Sequence, residues 1–107
     1  MADEILNRLA RTLEARKDAD PEKSYVAGLY QKGLAAILKK IGEETTEVVI
    51  AANSREKAAI IQETADLWFH TLIMLAYLGL GPEDILRELE RRFGQSGLAE
   101  KAARNKP

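Results

Sequence analysis

Apolar side chains recur along this chain at intervals of three and four residues, which is the spacing of one face of an α-helix. No stretch shows the sustained apolar and polar alternation that is typical of half-buried strands. A first helix is predicted over about residues 3–17, and it places Ile5, Leu6, Leu9 and Leu13 on one face. The pattern therefore predicts an all-α protein.

Turn-forming residues mark where the first helices end. The segment KDADPEK ends the first helix, and Ser24 is the expected N-cap of a short helix through Tyr30. After a pause at Gly33, a longer helix is predicted to reach about Ala52. Its length makes it a candidate for one half of a helical hairpin.

The second half of the chain is read in the same way. Asn53 tolerates a left-handed C-terminal conformation and Ser54 is a favourable N-cap, so a break is predicted there. The next helix should continue to about Leu78. Gly81 and Pro82 then end it and begin an amphipathic helix, because proline is favoured in a first helical turn. The fold class expected is an antiparallel hairpin of two long helices with short flanking helices.

Length and composition limit the classes of protein. The chain has 107 residues, which suits one domain over 1–107, and the tail 95–107 is expected to be flexible or to become ordered on a ligand. A net charge of -1 with dispersed basic residues argues against nucleic acid as a partner. The apolar run LIMLAYLGL is too short to span a membrane. Cysteine is absent and the start lacks a signal peptide, so we expect a cytoplasmic protein.

One polar residue interrupts the core-facing stripe of the first long helix. That stripe consists of Leu34, Ile37, Ile41, Glu44, Val48 and Ala51. Glu63 interrupts the following helix in the same way, between Ile60 and Leu67. Burying an ionised carboxylate costs several kcal/mol unless a cation, a metal or a raised pKa compensates. Two such interruptions predict a site.

The predicted hairpin brings further acids to the same place. Glu44 and Glu63 are equally far from the predicted break, so they should face each other, with Glu43, Glu47 and Asp66 on the same patch. Carboxylates without nitrogen or sulfur ligands suit Mg²⁺, with Mn²⁺ as a substitute, and Mg²⁺ commonly bridges to substrate phosphates. The alternative for any single acid is a solvated helix face paired with lysines.

Several segments resemble one enzyme family. The acidic pattern EExxE followed by ExxD is similar to that of the all-α nucleoside triphosphate pyrophosphohydrolase superfamily. Within it, SYVAGLYQKG, KKIGEETTEVVIAA, ETADLWFH and RRFGQSGLAEKAAR resemble the phosphoribosyl-ATP pyrophosphohydrolase family. Thr46 and Phe69 depart from the family pattern and leave the acidic motif intact.

The resemblance implies a reaction and roles for the acids. It implies hydrolysis of phosphoribosyl-ATP to phosphoribosyl-AMP and pyrophosphate, the second step of histidine biosynthesis. The implied metal ligands are Glu44, Glu47, Glu63 and Asp66. Glu43, Glu44 and Glu47 are the catalytic candidates, with Glu43 available as a base. Which glutamate is the base stays open.

Basic residues are the candidates for binding the substrate. They are Lys32, Lys40, His70, Arg92, Lys101 and Arg104. Solvated lysines, a hydrogen-bonded histidine near the core, and arginines favoured at a helix end are the structural alternatives.

The sequence leaves two alternative functions open and predicts an oligomer. A house-cleaning pyrophosphohydrolase would share the acids without recognising the phosphoribosyl group, and a helical interaction module would need no divalent metal. One hairpin cannot cover its own apolar faces, so an oligomer is expected. The superfamily resemblance implies a homodimer with a four-helix core, or a higher homo-oligomer.

Overall fold

Helices form every regular element in the described residues, 2–93 and 97–104 of a computed structural model. They are α1 (Ala2–Ala15), a short 3₁₀ helix (Arg16–Asp18), α2 (Tyr25–Lys32), α3 (Leu34–Ser54), α4 (Lys57–Tyr77), α5 (Pro82–Arg91) and α6 (Gly97–Arg104). The all-α prediction is confirmed. In the predicted tail, α6 is helical, and residues 95, 96 and 105–107 lie outside the described residues.

The predicted caps of the short helices are present. Ser24 precedes α2, and its hydroxyl oxygen accepts a hydrogen bond of 3.1 Å from the backbone N–H of Ala27. Pro82 begins α5, and the Asp84 carboxylate accepts a bond of 2.9 Å from the N–H of Gly81. Local sequence therefore determines where α2 and α5 begin.

The predicted break at Asn53 and Ser54 is wrong by two residues. Helix α3 continues through Ser54, and Arg55 takes the left-handed conformation with φ 63°. The Ser54 hydroxyl explains the difference, because it donates to the carbonyl of Ala51 at 2.7 Å and accepts from the N–H of Glu56 at 3.3 Å. It satisfies the end of α3 and does not cap α4.

The core lies where α1, α2 and the α3–α4 hairpin meet. Leu13, Ile37 and Ile73 are fully buried there, and each such side chain contributes about 1.5–3 kcal/mol by leaving water. The run LIMLAYLGL supplies Leu72 and Leu75 to the same core, whereas its last four residues, 77–80, are exposed. Within the described part of the chain, no helix has both the length and the apolar character to cross a membrane.

Candidate metal and phosphate site

The α3–α4 hairpin determines which acids meet. Because the turn lies at Arg55 and Glu56, Glu44 and Glu63 are offset by four residues, or about 6 Å along the helix axes. Asp66 lies nearly level with Glu44 across the hairpin. The long glutamate side chains span the remaining offset.

Three carboxylates converge on one point of the hairpin. One carboxylate oxygen from each of Glu44, Glu63 and Asp66 lies within 4.8 Å of the other two. The Glu44 side chain is only 12% exposed, and Glu63 and Asp66 are partly buried. Three negative charges this close repel each other, and a cation between them would relieve the repulsion. The oxygen-only donor set fits a hard divalent metal ion.

A lysine partly neutralises this cluster from within α3. Lys40 Nζ lies 3.4 Å from Glu44 Oε1, one helical turn away. One ammonium group balances one of the three charges. Desolvation is the largest cause that raises the pKa of the Glu63 carboxyl, and the negative charges of Asp66, Glu47 and Glu44 raise it further. The site therefore keeps an unbalanced negative charge.

The two other predicted acids, Glu43 and Glu47, do not belong to this cluster in the described part of the chain. Glu47 is exposed and lies outside the group of three among the described residues, although its charge acts on Glu63. Glu43 is exposed, and its charge acts on Lys40. Glu47 as a metal ligand and Glu43 as a base thus remain predictions.

His70 is 6% exposed and joins α4 to α2. Its Nδ1 lies 2.8 Å from the carbonyl oxygen of Asp66, and its Nε2 lies 2.7 Å from the Tyr25 hydroxyl. This is the hydrogen-bonded histidine that the sequence offered as an alternative to a direct substrate contact. Tyr25 was not predicted as a site residue. The only sequence signal for it is its place after Ser24 in the family-like segment SYVAGLYQKG.

The remaining predicted substrate-binding residues lie on two helices and directly after a third. Lys32 is exposed in the last turn of α2, and Lys101 and Arg104 are exposed in the last turn of α6. Arg92 follows α5, and its Nε donates to Glu88 Oε2 at 3.0 Å. Hydrogen bonds from the neighbouring Arg91 and from Arg92 lower the pKa of Glu88 to about 2. Arg92 would have to leave this pair to contact a substrate.

Comparison with known proteins gives one family. The sequence model described as phosphoribosyl-ATP pyrophosphohydrolase matches residues 6–93. The chain is 62% identical over 101 residues to the phosphoribosyl-ATP pyrophosphatase of Methylococcus capsulatus, a match that covers 94% of this chain and 96% of the relative. It is 52% identical over 104 residues to the phosphoribosyl-ATP pyrophosphatase of Chromobacterium violaceum, with 97% and 96% covered. This chain belongs to the phosphoribosyl-ATP pyrophosphohydrolase family.

Proposed function

We propose that this chain hydrolyses phosphoribosyl-ATP to phosphoribosyl-AMP and pyrophosphate in histidine biosynthesis. The observation that carries the proposal is the convergence of Glu44, Glu63 and Asp66 on one hairpin of a family member. Three carboxylates alone would repel a polyphosphate. The proposed reaction therefore requires a cation at this cluster.

Mg²⁺ is the proposed ion, with Mn²⁺ as a substitute. Glu44, Glu63 and Asp66 would hold it, with Glu47 as a fourth candidate ligand. When bound, Mg²⁺ would bind polyphosphate oxygens, offset charge on the departing pyrophosphate and orient a water.

The surrounding residues have separate roles in the proposed reaction. The oxygen of a water forms a bond to the α-phosphorus of phosphoribosyl-ATP. The bond between this phosphorus and the oxygen that bridges it to the β-phosphorus breaks, and pyrophosphate leaves with the bridging oxygen. An exposed carboxylate such as Glu43 accepts the proton of the water. Lys40, which lies beside Glu44, would donate hydrogen bonds to phosphate oxygens in this proposal.

The direct test is release of pyrophosphate from phosphoribosyl-ATP, measured with Mg²⁺ and with a chelator. We expect turnover that requires the metal and is much slower with a panel of ordinary nucleoside triphosphates. Comparable turnover of the panel would instead support a house-cleaning enzyme. No pyrophosphate release from any substrate in Mg²⁺ would favour an interaction module.

A homodimer is the proposed assembly. Large apolar side chains remain exposed on both helices of the hairpin, namely Leu38, Val49 and Ile50 on α3 and Ile61 and Trp68 on α4. Packing two hairpins together would bury them in a four-helix core. That surface and the apolar pattern of the sequence support an oligomer, and the superfamily resemblance supports the choice of a homodimer.

A further inference from the structure

Each ring nitrogen of His70 has a hydrogen-bond partner. A carbonyl oxygen only accepts, so the contact of 2.8 Å with the Asp66 carbonyl places the hydrogen on His70 Nδ1. Its Nε2 lies 2.7 Å from the Tyr25 hydroxyl, and in the tautomer with the hydrogen on Nδ1 alone this hydroxyl is the donor. Tyr25 is therefore held at its tip by a buried group on another helix.

Much of Tyr25 is open to solvent. The residue is 55% exposed although its hydroxyl is bound to a buried imidazole, so the exposed surface belongs chiefly to the ring and the backbone. The ring meets that of His70 edge-on, with centroids 5.7 Å apart and planes at 83°. Because the two rings are not stacked, His70 does not lie parallel over a face of the tyrosine ring.

The position of this ring relates it to the charged site. The hydroxyl is connected to the acid cluster through His70, whose Nδ1 bonds to the carbonyl oxygen of Asp66. Tyr25 therefore lies within reach of the planar base of a nucleotide whose phosphates lie at the acid cluster. Aromatic side chains bind bases by stacking, which requires a π-face and no particular hydrogen-bond pattern.

We propose that Tyr25 is a binding residue whose ring stacks on the nucleobase of the substrate, and that His70 is a positioning residue that holds this ring. The proposal rests on the proposed function for the location of the phosphates. It assigns to His70 an indirect role in place of a direct contact with substrate.

Calorimetric binding of AMP and of inorganic pyrophosphate, each in Mg²⁺, tests the proposal. Tyr25→Leu, which keeps an apolar side chain without a π-face, should weaken AMP binding by about tenfold or more. Pyrophosphate binding should stay within about twofold, because the phosphate site is intact. His70→Leu should weaken AMP binding by several-fold, and His70→Gln, which keeps an acceptor near the position of Nε2, should restore part of the loss.

Tyr30→Phe is the matched control. Tyr30 lies on the same helix, and its hydroxyl donates to the carbonyl of Leu13 at 2.9 Å. Removing this hydroxyl should leave the affinities for AMP and for pyrophosphate unchanged. Circular dichroism should confirm that every variant is folded.

Three results would overturn the proposal: unchanged AMP affinity in Tyr25→Leu, an equal loss for pyrophosphate, or wild-type protein that binds pyrophosphate but not AMP. Turnover of phosphoribosyl-ATP by the wild type is assayed in parallel. Its absence would count against the proposed function, whereas normal turnover with unchanged AMP affinity in Tyr25→Leu counts against the stacking role alone.

Discussion

Glu44 is the residue at which core packing and chemistry conflict most directly. It occupies a core-facing position of α3, is nearly buried, and has both a cation and two further carboxylates close by. Lys40 compensates one charge, but a partly exposed pair of this kind contributes about 0–1 kcal/mol. The lysine therefore does not explain why two more acids face the same point.

Replacing Glu44 by glutamine should separate stability from activity. In chelator, the free energy of unfolding of Glu44→Gln should equal that of the wild type or exceed it by about 1 kcal/mol, because repulsion within the cluster falls. In Mg²⁺ the order should reverse, since binding to the folded state stabilises the wild type more. Turnover should fall by about two orders of magnitude or more.

Melting curves in both buffers and a pyrophosphate-release assay check this expectation. Glu90→Gln is a suitable control, because Glu90 is exposed on α5 and the proposed site does not include it. Near-normal turnover in Glu44→Gln, or an equal loss of stability in both buffers, would make Glu44 a structural charge.

At the scale of elements, the turn between α3 and α4 controls the alignment of the acids. Its left-handed residue is Arg55, and a side chain costs about 1–2 kcal/mol in that conformation. Glycine adopts it without this cost but has more freedom to lose on folding. The turn is therefore a place where the sequence is not optimal for stability.

We expect Arg55→Gly to raise the free energy of unfolding by about 0.5 kcal/mol, because relief of the strain exceeds the added entropy cost. Arg55→Val should lower it by about 1 kcal/mol, since a β-branched side chain disfavours positive φ. Urea denaturation measures both changes. A destabilised Arg55→Gly would show that the arginine side chain makes a contact worth more than the strain.

At the scale of the whole molecule, the hairpin exposes large apolar side chains to solvent. Ile61 is 71% exposed and Trp68 is 58% exposed, although both lie on the helix that supplies Ile73 to the core. A surface of this kind is typical of a protein interface. The site acids lie on the same two helices, so assembly and activity would be linked.

Sedimentation at micromolar concentration should give the mass of a dimer. Ile61→Lys should shift the protein towards the monomer, because a charge in an apolar interface is costly to desolvate. Lys23→Glu, an exposed change outside the hairpin, should leave the mass unchanged. A compact wild-type monomer at this concentration would contradict the proposed assembly.

How far the sequence predicts this structure depends on the range of the interactions. The stripe around Ile37 and the Ser24 cap are local, and both were predicted from spacing and residue type. The turn was misplaced because the Ser54 hydroxyl has two possible uses, and only the folded backbone selects one. The contact between Tyr25 and His70 joins positions 45 residues apart, and no periodicity indicates it.

The sequence predicts the acid cluster, but the predicted alignment of α3 with α4 is partly incorrect. Glu44 and Glu63 were expected to be level, and they meet only because their side chains are long enough to cover the offset. Glu47 is implied as a ligand by the family resemblance; it lies outside the group of three within the described residues, and its role stays a prediction.

All three clustered carboxylates belong to one continuous segment, from Glu44 to Asp66, that contains a single short turn. Bringing them together requires the closure of one short loop, whose entropy cost is small, and does not require α1 or α5 to be in place. A partly unfolded chain that keeps the hairpin would therefore retain affinity for the metal. Because ligand binding to non-native states reduces the stabilisation of the native state, the rise in melting temperature on adding Mg²⁺ should be smaller than the affinity of the folded protein implies.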